Sequence, residues 1–305
     1  MLFSCVRMAK RSRTRMTMDD VRKKPPRIRQ ESSANRHGQR RASRSTADGR
    51  HARVRKAPYL ELFAIPGMAE IRKGDDLGSR IAEAAEKAEL RFKDGDIVIV
   101  AQKIVSKAEG AVVSLESVKP SEKAQVLAAE LKKDARAIEV VLRESRRILR
   151  SERVLISETH HGFVCANAGV DHSNVPGEDM VTLLPRDPDD SAERLAVELS
   201  KKTRKRIAVI VSDTFGRPWR LGLTNVAIGA SGLPVLVDLR GTKDREGKPL
   251  TATVLAVADE LAAAAGLLMG KSAGTPVVIV RGYRYKPASE KAAQIIRPSA
   301  EDLFR

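Results

Sequence analysis

Carboxylates and neighbouring polar side chains occur at two places in the middle of the chain. Asp171 and Asn174 lie in the segment NAGVDHSN, and Asp213 and Thr214 directly follow the apolar run IAVIVS. Mg²⁺ and Mn²⁺ bind oxygen ligands of this kind, together with phosphate oxygens and water. The same residue types also end strands in ordinary turns. The pattern therefore leaves two interpretations open, a divalent cation site and a pair of structural turns.

A group of basic and polar side chains follows the apolar run DIVIVA. Gln102, Lys103, Ser106 and Lys107 occur within six positions of one another, in a segment predicted to be a loop over Gln102–Gly110. Lysine can act as a point charge toward a phosphate, while hydroxyl and backbone N–H groups supply direction. A solvated basic turn would have the same composition, so phosphate binding is one of two interpretations here.

One phosphate-binding motif is matched only in part. Residues 265–272 (AGLLMGKS) satisfy the Walker A pattern if alanine is allowed at its first position. A P-loop requires a strand before the motif and a helix after it, whereas here a helix is predicted before it and a strand after it. A true P-loop is therefore not expected, but Gly270 and Gly274 would still allow the backbone to approach a nucleotide closely.

Other reactive side chains have simpler explanations. Arg217 and Arg220 flank Trp219 and could clamp an anionic substrate, although a packed cation–π pair is the commoner arrangement. Cys165 lies in an apolar run and is expected to be a buried small hydrophobe. No HExxH motif occurs, and no GxGxxG motif opens a helix.

The composition excludes several classes of protein. The 305 residues contain no run of about 18 apolar residues, so no transmembrane helix is expected. Two cysteines, in different parts of the chain, exclude a disulfide scaffold and a cysteine-based zinc site. We expect a reduced, cytoplasmic protein. Aromatic residues make up 3% of the chain, which argues against base-stacking surfaces for nucleic acid.

The basic charge is concentrated at one end. The net charge is +17, and residues 1–57 contribute 18 basic and 4 acidic groups, a balance of +14, while the remainder has 38 basic and 35 acidic groups, a balance of +3. Such an extension buries too little apolar surface to fold, so it is predicted to be disordered. A solvated extension, an early start codon, a transit peptide and a nucleic-acid-binding arm all fit this composition.

The body of the chain is predicted to mix strands and helices without a regular βαβ order. The apolar spacing predicts five helices, over Asp76–Arg91, Ser121–Lys132 (with Ser121 as N-cap), Asp134–Arg150, Asp190–Lys205 and Thr253–Met269. It predicts strands over Tyr59–Ala64, Asp96–Ala101, Ile207–Ser212, Val235–Asp238 and Pro276–Val280, and a hairpin of Val154–Ser157 with Gly162–Ala166. We expect an α+β fold in two lobes, neither a P-loop nor a Rossmann fold.

Seven stretches together resemble the coenzyme F420-0:γ-glutamyl ligase family. They occur in the family's order and are distributed over essentially all of the body, residues 59–282. The stretches are IRKGDDLGSRI, DGDIVIVAQKIVSKAEG, LRESRRILR, HGFVCANAGVDHSNVP, LLPRDPDDSAERL, SDTFGRPWRLGLTNVAIG and AVADELAAAAGLLMGKSAGTP. Seven collinear matches are far more specific than any single motif above. The resemblance divides the chain into a basic extension over 1–57 and a ligase domain over 58–305.

The resemblance implies a reaction and its partners. The family joins the α-amino group of L-glutamate to the lactyl carboxylate of F420-0, converts GTP to GDP and phosphate, and uses Mg²⁺ or Mn²⁺. A second glutamate can follow through a γ-linkage, and the protein is expected to be a homodimer. An acyl phosphate would be the intermediate, with Asp171, Asp213 and Lys107 as the catalytic residues.

The resemblance also implies a set of binding residues. Asp171 and Asp213 would ligate one metal ion, and Thr214 would contact a second. Lys271 places a cation where the family has a neutral glutamine ligand of that second metal. The predicted GTP contacts are Met68, Ala69, Glu70, Ile71, Gln102, Lys103, Lys107, Asn174, Met269, Gly270, Lys271, Ser272, Ala273, Gly274 and Thr275.

Three further functions stay open at this point. One is a ligase that acts on a different carboxylate, and another is a ligase that uses ATP, because no base-reading residue is identifiable. The third is a nucleic-acid-associated protein that binds through its basic extension, with affinity that would fall steeply with salt.

Overall fold

Residues 57–302 form a mixed α/β structure in a computed structural model of the chain. The predicted disorder of the basic extension lies outside these residues. No helix among them is long and apolar enough to cross a membrane.

The described residues contain twelve strands and six α-helices. The strands are β1 Glu61–Ala64, β2 Ile97–Ala101, β3 Val112–Ser114, β4 Ser145–Arg150, β5 Ile156–Thr159, β6 Val164–Ala166, β7 Met180–Thr182, β8 Ala208–Arg217, β9 Arg220–Ser231, β10 Val237–Asp238, β11 Val254–Leu255 and β12 Val277–Arg281. The helices are α1 Leu77–Lys87, α2 Gln102–Glu109, α3 Glu122–Leu131, α4 Ala135–Arg143, α5 Pro188–Thr203 and α6 Val257–Met269.

A five-stranded sheet forms the centre, with the strand order β1-β12-β2-β8-β9. Strands β2 and β8 are parallel, and Ala101 is paired with Ser212 where the apolar runs end. The other three pairings are antiparallel, and Val277 at the start of β12 is paired with Val100 near the end of β2. Four chain segments therefore enter or leave the sheet at the same edge.

The alternation of apolar residues along β2 gives the sheet a core on each face. Val98 and Val100 pack with helices α1 and α5, whereas Ile97 and Ile99 pack with α6 on the opposite face. All four side chains are fully buried, as expected for a strand that is covered on both faces. The apolar runs read from the sequence are thus the strands of the buried sheet.

A third hydrophobic cluster lies around helices α3 and α4. It contains Ala128, Ile138, Leu155 and Val181, and two small antiparallel sheets, β3-β7 and β4-β5-β6, belong to this part of the chain. The prediction of two lobes stays a prediction, while the mixture of helices and strands is confirmed.

Most predicted elements are confirmed, including the Ser121 cap, whose side chain accepts a hydrogen bond from the backbone N–H of Ala124. The predicted helix Asp134–Arg150 is wrong in its second half, because α4 ends at Arg143 and residues 145–150 form β4. Strand β4 pairs with β5, and Arg147 Nε donates to the buried carboxylate of Glu158 across that pair. Residues 145–150 thus form a strand that pairs with the next strand along the chain.

Two segments predicted as loops are regular elements. The segment Gln102–Gly110 is helix α2, which follows β2 without a connecting loop and ends at Gly110 with a φ of 78°. The segment Ser212–Arg220 belongs to the long β8–β9 hairpin, because β8 continues to Arg217. The third loop, Asn167–Asn174, contains one short 3₁₀ turn over Asn167–Gly169 and no longer element.

Candidate active site

The edge of the sheet brings four distant segments together. Helix α2 follows β2, Asp213 and Thr214 continue β8, the 270–276 loop precedes β12, and residues 66–71 follow β1. A fifth segment, 171–176, joins them because Asp171 forms an antiparallel bridge with Thr182. The carboxyl ends of parallel strands are a common place for ligand sites in mixed sheets.

A cavity of about 690 Å³ opens between these segments. It is lined by all the residues predicted to bind metal or GTP except Ala273. The residues that line it from the predicted set are Met68, Ala69, Glu70, Ile71, Gln102, Lys103, Lys107, Asp171, Asn174, Asp213, Thr214, Met269, Gly270, Lys271, Ser272, Gly274 and Thr275. Residues predicted from separate stretches of the sequence thus share one site.

Lys103 fixes the position of Asp171. Its Nζ atom donates to Asp171 Oδ2 at 2.7 Å, to the carbonyl oxygen of Ser173 at 2.6 Å and to Ser173 Oγ at 2.7 Å. Burial opposes ionisation of Asp171, but the hydrogen bonds from Lys103 and Ser173 outweigh it and lower the pKa of Asp171. Asp171 is therefore a carboxylate at neutral pH.

The pKa of Asp213 is shifted in the opposite direction from that of Asp171. Burial raises the pKa of Asp213 to about 6, the charge of Asp171 adds to the rise, and the backbone N–H of Thr214 together with Lys103 and Lys271 counteracts it. Two carboxyl groups that repel each other in one cavity are a natural place for a cation.

The donor set fits a single hard divalent cation. Asp171 Oδ1 accepts one hydrogen bond, from the backbone N–H of Ser173, so it keeps one acceptor site. In the part of the chain that the structure describes, no cluster of three or more His, Cys, Asp and Glu residues could hold a metal ion. Asp171 and Asp213 would hold the ion, and phosphate and water oxygens would complete its ligands, as is usual for Mg²⁺.

The first turn of helix α2 lines the same cavity. Gln102 is buried, and its Nε2 atom donates to the carbonyl oxygen of Leu183 at 2.7 Å and to Ser106 Oγ at 2.8 Å. Lys107 is also buried, and its Nζ atom donates to Glu70 Oε1 at 2.5 Å. These contacts fix α2 and hold the Lys107 ammonium inside the cavity.

The 270–276 loop contributes a third lysine. Lys271 Nζ donates to Thr214 Oγ1 at 3.1 Å, and Asn174 Nδ2 donates to the carbonyl oxygen of Lys271 at 3.2 Å. Gly270 starts this loop with φ 56° and ψ −170°, a conformation essentially restricted to glycine. The prediction that Thr214 contacts a second metal ion is not tested by these contacts.

Several lining residues were not predicted as ligands. Ser173, Ser212, Leu223, Asn225 and Gly266 all face the cavity. A Cβ atom on Gly266 would lie 2.9 Å from Asn225 Cγ, so helix α6 and strand β9 need a glycine there. These residues belong to the resembling stretches, but their types carry no chemical signal of their own.

The remaining candidates lie elsewhere. Arg217, Trp219 and Arg220 are at the turn of the β8–β9 hairpin and do not line the cavity. Cys165 is buried, and burial raises the pKa of its thiol to about 12, which confirms that it is an inert small hydrophobe.

Comparisons with known proteins identify the family of this chain. The F420-0:Gamma-glutamyl ligase family matches residues 67–282. The coenzyme F420:L-glutamate ligase of Methanothermobacter thermautotrophicus is 44% identical over 250 residues, which cover 81% of this chain and 99% of that protein. The protein of the same name from Methanopyrus kandleri is 46% identical over 256 residues, which cover 81% of this chain and 98% of that protein. The chain is therefore a ligase and belongs to the F420-0:γ-glutamyl ligase family.

Proposed function

We propose that this chain joins the α-amino group of L-glutamate to the lactyl carboxylate of coenzyme F420-0 and converts GTP to GDP and phosphate. One observation carries the proposal: a single cavity is lined by nearly all of the residues expected to bind metal and nucleotide. The names of the two relatives, coenzyme F420:L-glutamate ligase, support the two substrates that are joined.

The chemical difficulty is that a carboxylate is a poor electrophile. In the proposed sequence, a carboxylate oxygen of F420-0 attacks the γ-phosphorus of GTP, the bond to the β-phosphate oxygen breaks, and GDP leaves. The glutamate amine then attacks the acyl phosphate carbonyl, the C–O bond to phosphate breaks, and the amine loses a proton. These two displacements replace the direct attack of the amine on the carboxylate, which would not proceed.

The cavity offers positive charge where phosphates would lie. Lys103, Lys107 and Lys271 line it, and so does the first turn of helix α2, whose N–H groups have no partner within the helix. Charge that spreads over the phosphoryl oxygens during transfer would be stabilised by these fixed groups. Catalysis would come from positioning and electrostatics, so no nucleophilic side chain is needed.

Asp171 and Asp213 would hold one Mg²⁺ or Mn²⁺ ion. When bound, the ion supplies charge neutralisation for the phosphate oxygens. Lys103 keeps Asp171 in place and ionised through the contacts described above. Asp213 would be held ionised by the bound ion, since its own pKa lies close to neutrality.

Two further expectations belong to the same proposal. The chain would add a second glutamate through a γ-linkage, because the first product again presents a carboxylate. It would act as a homodimer, as the resemblance implies.

Coupling between phosphate release and the two acceptors tests the proposal. Phosphate should be released from GTP only when F420-0 and L-glutamate are both present. GTP replaced by ATP, and F420-0 replaced by lactate, serve as the matched controls. Phosphate release that is equally fast without F420-0 would argue for a different carboxylate substrate. Phosphate release with ATP but not with GTP would show that ATP is the nucleotide used.

A further inference from the structure

The three lysines of the cavity differ in what they contact. Lys103 forms an ion pair with Asp171, and Lys107 forms one with Glu70. Lys271 donates to a neutral hydroxyl, Thr214 Oγ1, and over residues 57–302 it forms no ion pair with a carboxylate. Among these three lysines it is the one without a direct ion pair, and it acts on the Asp213 carboxylate only through space.

The Thr214 hydroxyl makes two hydrogen bonds within the site. It donates to Asn225 Oδ1 at 3.1 Å and accepts from Lys271 Nζ at the same distance. Asn225 is itself held, because its Nδ2 atom lies 3.6 Å from Met269 Sδ. A metal ion bound to the Thr214 oxygen would lie beside an ammonium group, and two positive charges at such a separation repel each other.

The position of Lys271 is built into the loop. Gly270 provides the turn that only glycine tolerates, and Asn174 Nδ2 holds the Lys271 carbonyl oxygen. Thr275 Oγ1 closes the other end of the loop by donating to the carbonyl oxygen of Leu268 at 2.9 Å. The backbone on both sides of Lys271 is thus fixed, which directs its side chain to Thr214.

We propose that Lys271 supplies the second positive charge of this site in place of a second metal ion. The chain would then bind its nucleoside triphosphate with one divalent cation, held by Asp171 and Asp213, and with one fixed ammonium next to Thr214. This inference rests on the proposed nucleotide-dependent ligase and adds to it the number of cations that the site requires.

The number of Mn²⁺ ions bound per chain tests the inference without turnover. Full-length protein is dialysed against Mn²⁺ and a GTP analogue that cannot transfer its γ-phosphoryl group. Bound ions are counted directly and by the loss of the free Mn²⁺ signal in electron paramagnetic resonance. The experiment is repeated with an ATP analogue, and with the variants Lys271→Gln and Lys271→Arg. Lys271 is exposed, so neither variant should affect folding, which circular dichroism checks.

We expect one Mn²⁺ ion per chain in the unchanged protein and in Lys271→Arg, which keeps the charge. Lys271→Gln should bind two, because it removes the charge and adds an amide oxygen beside Thr214. Two ions on the unchanged chain would overturn the inference and leave the ligase proposal intact. One ion on Lys271→Gln would also overturn it. Failure of both analogues to bind would overturn the proposed function, and this inference with it.

Discussion

Lys107 Nζ donates to Glu70 Oε1 across 37 positions of the chain. The side chain of Lys107 is 8% exposed, whereas that of Glu70 is 53% exposed. A buried ammonium is therefore paired with a carboxylate that solvent reaches. A phosphate group that enters the cavity would compete with Glu70 for this ammonium.

Substitutions of Glu70 and Lys107 should have opposite effects on nucleotide binding. Glu70→Gln removes the competing carboxylate and should lower the KM for GTP by up to about five-fold, since an ion pair whose carboxylate is open to solvent contributes up to about 1 kcal/mol. Lys107→Met should raise that KM and lower kcat by about 10²-fold. Steady-state kinetics with varied GTP measures both. An increase of KM in both variants would contradict the competition.

Asp213→Asn should stabilise the metal-free protein. The native pKa of Asp213 is about 6, above its ordinary value of 3.8, so the native state binds more protons between these values. Stability is therefore lost as the pH rises through this window. At pH values above this window, the buried carboxylate of Asp213 is ionised and lowers the free energy of unfolding by up to about 3 kcal/mol. The amide of the variant avoids this loss.

Urea unfolding of the two proteins measures this effect. The variant should be more stable at about pH 8, and the difference should shrink toward about pH 4, because the native state then holds Asp213 protonated and no longer buries a charge. Turnover should fall by at least about 10²-fold, since a group that holds the cation is lost. A variant that is less stable at about pH 8 would contradict the assignment of the raised pKa.

Gly270→Ala should damage the site as well as the fold. Gly270 has a φ of 56° with ψ near −170°, and other residues pay about 1–3 kcal/mol there. The 270–276 loop should shift, so Lys271 should leave Thr214 and nucleotide affinity should fall. Gly247→Ala is the matched control, because Gly247 also has a positive φ but lies away from the cavity. Equal nucleotide affinity in both variants would argue against a role for the loop.

The apolar runs were enough to predict four strands of the central sheet, β1, β2, β8 and β12, but β9 was not predicted. Residues 97–101 and 208–211 are short, continuously apolar and mostly β-branched, and burial on both faces leaves such runs few alternatives. Their parallel pairing could not be read from the runs themselves, because it depends on contacts between residues more than 100 positions apart.

Helix α2 shows why the loop prediction failed. No side chain caps its start at Ala101, so the usual signal of a helix N-terminus is missing. The helix prediction for residues 145–150 failed for a different reason. The apolar spacing through Ile148 suits a helix, but these residues pair with β5 as a strand. In the second case, strand pairing overrode the helical spacing of the sequence.

Chemistry at the level of single residues identified Asp171, Asp213 and Lys107 only as candidates. The resemblance to the family added the glycine loop and residues 68–71, whose types carry little signal. The contact of Lys271 with Thr214 could not be predicted, because it depends on the conformation of the 270–276 loop.

Deletion of residues 1–57 should leave the ligase activity unchanged. The predicted site lies entirely between Met68 and Thr275, and the basic extension carries most of the net charge. Turnover of the shortened chain within about two-fold of the full chain would agree with this account. A loss of activity together with a loss of salt-sensitive nucleic-acid binding would favour the rival function.

Mass spectrometry of the reaction product tests the central claim most directly. Purified protein is incubated with F420-0, L-glutamate, GTP and Mn²⁺ or Mg²⁺, with each component omitted in turn. We expect F420-0 to become heavier by one or more glutamyl residues, and this product to disappear when GTP or the metal ion is omitted. An unchanged mass of F420-0 with folded protein and all components present would contradict the account.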